Sequence, residues 1–157
     1  MFSIILSIPF IQTKLGNYAA KRLNNEFNTS ISIKKIDLSF LGKVQLEGVK
    51  IRDHHQDTLI FVQKLSTSVF NAKKIIKSEV NLGSVFLEGV FVNMKTYSGE
   101  TDDNMAVFID SFDDGIPKDS LSNLFILKSS DVYLNDLNYR LINENNKTPI
   151  SFSAKNG

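Results

Sequence analysis

Val44-Gln45-Leu46-Glu47-Gly48-Val49-Lys50-Ile51 is echoed by Val85-Phe86-Leu87-Glu88-Gly89-Val90-Phe91-Val92 and again by Val132-Tyr133-Leu134-Asn135-Asp136-Leu137-Asn138-Tyr139. In every copy the apolar residues stand first, third, sixth and eighth. An alternation of period two runs in, slips phase across two turn-forming residues, and resumes. Two geometries accommodate that slip. If the central pair is a two-residue hairpin loop, the third and sixth positions face each other across it, as do the first and eighth. If it is a bulge, one extra residue restores the phase within a single strand. Either way all four apolar side chains share one face, and the repeat builds a sheet with a continuous apolar side. Each fully buried aliphatic side chain contributes roughly 1.5 to 3 kcal/mol, so such a face requires a cover of protein, membrane or apolar ligand.

Outward from the repeats, Ile31, Ile33, Ile36, Leu38 and Phe40 alternate into the Leu41-Gly42-Lys43 turn. Leu59 to Phe70 reads as another strand, with Leu59, Phe61, Leu65, Thr67 and Val69 on one face and Gln63 interrupting it. Arg52 to Thr58 is a polar loop, Asn71 to Lys77 a short basic connection, and Ile150 to Ala154 the start of a further strand. Between Thr96 and Ser122 the chain turns acidic. There Met105, Phe108, Ile109 and Phe112 recur at helical spacing, with Asp102 or Asp103 as N-cap and Gly115 and Pro117 as the stop. This stripe is expected to pack against the sheet. Near the start, Ile11, Leu15, Tyr18, Ala19, Leu23 and Phe27 recur at steps of three or four, predicting an amphipathic helix over residues 12–28 that ends in Asn24, Asn25 and Asn28.

The 157 residues are 22% charged and 42% hydrophobic, the composition of an ordinary folded domain with a sizeable core. A formal net charge of +1 gives no electrostatic footprint for nucleic acid. The absence of cysteine removes disulfides, thiolate metal sites and thiol catalysis. Residues 1–11 (MFSIILSIPFI) are apolar but too few to cross a bilayer, which takes about 20 residues, and no basic region precedes them. They are expected to be a truncated membrane anchor, the alternative being a buried strand or helix end. Residues 29–157 are expected to be a stretch of β repeats that continues beyond this chain.

Chemistry is sparse. Asp53, His54, His55 and Asp57 are the one dense cluster of reactive side chains. In extended chain adjacent histidines point opposite ways, and no third histidine exists, so a solvated loop is expected rather than a metal site. Serine catalysis has no other base to draw on, and the glycines are isolated rather than gathered in a phosphate loop. The expectation is no enzyme, no cofactor and no metal.

Several blocks carry a resemblance: SIPFIQTKLGNYAAKRLN, then ISIKKIDLSFLGKVQLEGVKIRDHHQDTLIFVQKLSTSV, then DDNMAVFIDSFDDGIPKDS before FILKSSDVYLNDLNYRL. Together they resemble the N-terminal region of the TamB family, inner-membrane components of a translocation and assembly module, from about Ser7 to Gly157. The helix followed by alternating strands is also similar to AsmA-like and bridge-like lipid transfer proteins. The resemblance implies a mainly β fold: an N-terminal amphipathic helix, then an open, curved antiparallel sheet (a β-taco groove) with one short helix inserted. It further implies an inner-membrane anchor, a periplasmic β region and phospholipid as partner, with lipid transport toward the outer membrane. A role in assembling outer-membrane proteins is the alternative. The family's outer-membrane barrel partner is contacted through a C-terminal domain absent from this chain. The expected lipid-groove lining is Val44, Leu46, Val49, Ile51, Val85, Leu87, Val90, Val92, Val132, Leu134, Leu137 and Tyr139.

Overall fold

Runs of branched and aromatic residues alternating with polar ones favour the pleated, half-buried environment of a sheet, and among the described residues they form eight strands. These are β1 (Ser30–Leu38), β2 (Lys43–Arg52), β3 (Thr58–Phe70), β4 (Glu79–Leu82), β5 (Val85–Thr96), β6 (Ile126–Lys128), β7 (Val132–Asn143) and β8 (Ile150–Asn156), with one helix, α1 (Asn104–Asp110), between β5 and β6. The computed structural model describes residues 17, 20, 21, 24, 25, 28–39, 42–70, 79–111, 126–146 and 149–156. Asn17, Ala20, Lys21, Asn24 and Asn25 are helical, Asn28 stands past the helix at φ 51°, and the rest of the amphipathic helix expected over residues 12–28 lies outside the described residues. So do residues 1–11, expected as a truncated anchor. No helix among the described residues is long and apolar enough to cross a membrane.

Six strands form one open sheet in the order β1-β2-β3-β5-β7-β8, while β4 branches off the end of β3 and pairs with β6. The expectation of an antiparallel sheet is corrected at two seams: β5 pairs with β7 in parallel, and so does β4 with β6. The cause is the return path. β5 ends at Thr96, yet β7 begins at Val132, which lies beside Val85 at the start of β5. The 97–131 connection between them has the length of the long crossover that parallel neighbours require.

The hairpin alternative for the repeat is also settled, because β2, β5 and β7 each run unbroken through the central pair. The slip is absorbed by single residues at positive φ: Gly48 (64°), Gly89 (63°) and Asp136 (59°). A lone bulge would shift the register against its neighbours. No shift occurs at this level, since the pairings Ile33↔Val49, Val49↔Val62, Val62↔Val90, Val90↔Leu137 and Leu137↔Ala154 keep the same offsets as Lys35↔Glu47, Glu47↔Lys64, Lys64↔Glu88, Glu88↔Asn135 and Asn135↔Asn156. Between those two rows every strand leaves one residue out of the pairing: Lys34, Gly48, Gln63, Gly89, Asp136 and Lys155. Six aligned slips therefore cancel, and the sheet crosses the line with its faces intact.

Glycine is needed on that line for two reasons. A side chain in the left-handed region costs about 1–2 kcal/mol. A Cβ on Gly48 would also stand 2.9 Å from Lys34 Cβ, and one on Gly89 would stand 2.6 Å from Gln63 Oε1 and 2.8 Å from Gln63 Cβ. Glycines in β2 and β5 thus leave room for the side chains of β1 and β3. Aspartate tolerates the left-handed region better than most residues, which suits Asp136 to the third copy.

The open edge of β1 is shielded by a side chain. Asn24 Nδ2 donates to Ile31 O at 2.8 Å, and Ile31 N donates to Asn24 Oδ1 at 2.7 Å. One amide so imitates a neighbouring strand, which is one way to blunt an edge.

Candidate functional site

Directly paired residues point to the same side of a sheet, so the register decides which side chains share a face. Four rows emerge. Ile31, Ile51, Ile60, Val92, Tyr139 and Phe152 form one, and Ile33, Val49, Val62, Val90, Leu137 and Ala154 the next. Beyond the line of slips come Ile36, Leu46, Leu65, Leu87 and Leu134, then Leu38, Val44 and Thr67 in β1 to β3 with the pair Val85 and Val132 in β5 and β7. All twelve residues proposed from the sequence as lining stand in these rows on one face.

Both β1 and β3 were expected as strands, but their residues were left out of the lining. Ile31, Ile33, Ile36 and Leu38 in β1, and Ile60, Val62, Leu65 and Thr67 in β3, have the same spacing as the three repeats, without their glycine. That shared spacing was the available signal; of the face expected for β3, Leu65 and Thr67 stand in the apolar rows and Leu59 is fully buried at a register shift, while Phe61 falls out of phase. Phe61 pairs instead with Lys50 and Phe91 on the opposite, largely polar face. There Phe86 and Tyr133 stack with ring centroids 4.9 Å apart.

The apolar face is not sealed. Of the twelve residues only Val85 and Val90 are buried; Val132 is 54% exposed and the others are partly exposed. At the end of the sheet where β2 begins, a cleft of about 960 Å³ is lined by Leu38, Val44 and Thr67 of this face and by Gln45, Ser66 and Phe86 of the opposite one.

A second constellation occupies the other end. Asp53, only 4% exposed, accepts from the amides of His55 (3.0 Å) and Asp57 (2.9 Å) through Oδ1, and from Tyr97 Oη (2.7 Å) and Asn104 Nδ2 (2.8 Å) through Oδ2. Asn104 is fully buried at the start of α1, and it also donates to Asn93 O while its Oδ1 accepts from Lys95 N. Its amide thereby completes the backbone of β5 beyond the last β3 pairing. Asp103 caps α1, its Oδ1 accepting from the Met105 and Ala106 amides, as one of the two expected aspartates should. The expected stripe is shorter than foreseen: α1 ends at Asp110, Ile109 is 59% exposed, and Phe112 lies outside the described residues.

Burial raises the Asp53 carboxyl, but the hydrogen bonds from Asn104, Tyr97 and the two amides outweigh it, and its pKa lies below the ordinary value. The Tyr97 hydroxyl moves the opposite way, pushed up by burial and by donation to Asp53 and Asp57. A hydrogen bond with Glu144 at 2.8 Å holds the Lys95 ammonium above its ordinary value despite burial.

The expectation of diverging histidines is corrected here. The β2–β3 connection is a tight turn with Gln56 at φ 66°, not extended chain. Both imidazoles turn toward Glu100: His54 Nε2 lies 3.0 Å from Oε2 and His55 Nε2 2.7 Å from Oε1. The His55 ring also packs on Tyr97 at 3.8 Å between centroids. Hydrogen bonds first from His55 and then from His54 lower the Glu100 pKa.

Compared with known protein families, with curated proteins and with solved structures, the chain matches none.

Proposed function

We propose that the chain is the N-terminal segment of a TamB-like envelope protein, anchored at the inner membrane, whose sheet shields lipid acyl chains in a curved apolar groove on their way to the outer membrane. The observation that carries this reading is the set of apolar rows, two of them continuous from β1 to β8 and the others reaching β7, and only partly covered. Acyl chains need no directional contact, only a connected apolar surface screened from water. Successive strands offer them nearly the same environment, so a chain can move along the face without a deep well to escape.

A second reading is an assembly module for outer-membrane proteins. The β8 edge favours it: Ile150 and Phe152 are 56% and 53% exposed on a strand paired on one side only among the described residues, a surface suited to strand addition.

The deciding experiment expresses the chain in a membrane-containing host and identifies co-purifying lipid by native mass spectrometry. Bound phospholipid is expected, and Leu87→Asp, at a partly exposed position, should lose it while keeping the fold. Lipid-free wild-type protein, or undiminished lipid on folded Leu87→Asp, overturns the lipid reading.

A further inference from the structure

We propose that His54, His55 and Glu100 together bind one divalent transition-metal ion of the zinc type, pinning the β2–β3 turn to the β5–α1 connection. The donor set comes first. Two imidazoles and one carboxylate are ligands that zinc accepts while leaving coordination positions open to water.

The geometry is close to what such an ion requires. The three ligand atoms lie within 4.8 Å of one another. An ion bonded to each at about 2.0–2.2 Å holds its donors roughly 3.5 Å apart. Both histidine–glutamate distances are already slightly shorter than that, so the ion enters by small ring rotations. At 30%, 44% and 32% side-chain exposure, His54, His55 and Glu100 are open to an ion arriving from solvent.

The supports are built rather than incidental. The Asp53 carboxylate fixes the turn from below through the His55 and Asp57 amides. The Glu100 side is held as firmly: Glu100 N donates to Tyr97 O, Gly99 N to Asn145 Oδ1, and Asn145 Nδ2 to Glu100 O at 3.0 Å. The β7–β8 turn thus braces one ligand, and Asp53 braces the other two. Locking the supports of metal ligands commonly strengthens a site. Because the ion would join residues far apart in sequence, it should bind the folded chain and stabilise it. This inference does not depend on the lipid reading.

The test uses the untagged chain, stripped with chelator and titrated with Zn2+ by calorimetry, with Co2+ absorption as a second readout. Expected are one ion per chain, visible Co2+ ligand-field bands, and a rise in melting temperature on adding Zn2+. His54→Ala and Glu100→Gln should each weaken binding by about tenfold or more and abolish the thermal shift. Circular dichroism shows whether each variant keeps its fold. Failure of the wild-type chain to take up either ion, or unchanged affinity in folded Glu100→Gln, overturns the proposal.

Discussion

At one end of the sheet a single carboxylate, Asp53, accepts four hydrogen bonds and is 4% exposed; across the apolar face, ten of the twelve repeat residues remain partly or largely exposed. The same strands support both regions, yet the Asp53 carboxylate is fully engaged, with Asn93 Oδ1 the one buried side-chain oxygen or nitrogen left without a partner among the described residues, while the apolar face stays open. Hydrogen bonds are directional and few, so a handful of residues can saturate one carboxylate. Apolar burial is additive in area, so a sheet face stays unsatisfied until something as broad as itself covers it. The contrast separates what holds this chain in shape from what it has left to offer a partner.

The largest effect should come from dismantling the polar knot. Asp53→Ala strands the Tyr97 hydroxyl, the Asn104 amide and two backbone amides in a buried place, and should cost about 3–5 kcal/mol in urea unfolding. A loss below about 1 kcal/mol would show that the knot is no more essential than the open face.

Acid sharpens the same comparison. The folded-state pKa of Asp53 is depressed below 3.8, so the stability this group contributes is fully present above that value and is lost as pH falls through the lower, folded-state value. Asp53→Asn should be less stable than wild type at neutral pH by about 1–3 kcal/mol, with the gap narrowing as both are acidified. A gap constant with pH would place the acid sensitivity elsewhere.

Next in size is the line of slips that keeps the apolar rows on one face. Gly89→Ala combines a left-handed backbone with a clash against Gln63, and should cost about 1–3 kcal/mol. Adding Gln63→Gly should recover the steric part alone. Gly99, at φ 85° with nothing within 4 Å of its missing Cβ, supplies the control, since Gly99→Ala feels only the backbone penalty. Equal losses at Gly89 and Gly99 would mean that Gln63 moves aside freely. The smallest effect belongs to the polar face, where Tyr133→Ala removes a stacked but half-exposed ring and should cost about 0.5–1.5 kcal/mol.

Much of the sheet was legible along the chain. The spacing of Val44, Leu46, Val49 and Ile51 states that four apolar side chains share a face, and it holds because side-chain direction in a strand depends only on local backbone geometry. Asp103 as a cap is legible for the same reason, its partners being two and three residues away. Legibility fails where the partner is distant. Tyr97 and Asn104 reach Asp53 across sequence separations of 44 and 51, and Glu100 meets two histidines that extended chain would have kept apart.

By itself, then, the sequence determined the period of the strands, the phase slip within each and the residues able to absorb it. Tertiary structure decided that the slips align across six strands, that β5 and β7 run parallel, and that two connections bring His54, His55 and Glu100 together. The physical reason is that backbone periodicity is a property of neighbours along the chain. Register, crossover and loop meetings are set by the path on which the whole chain returns to itself.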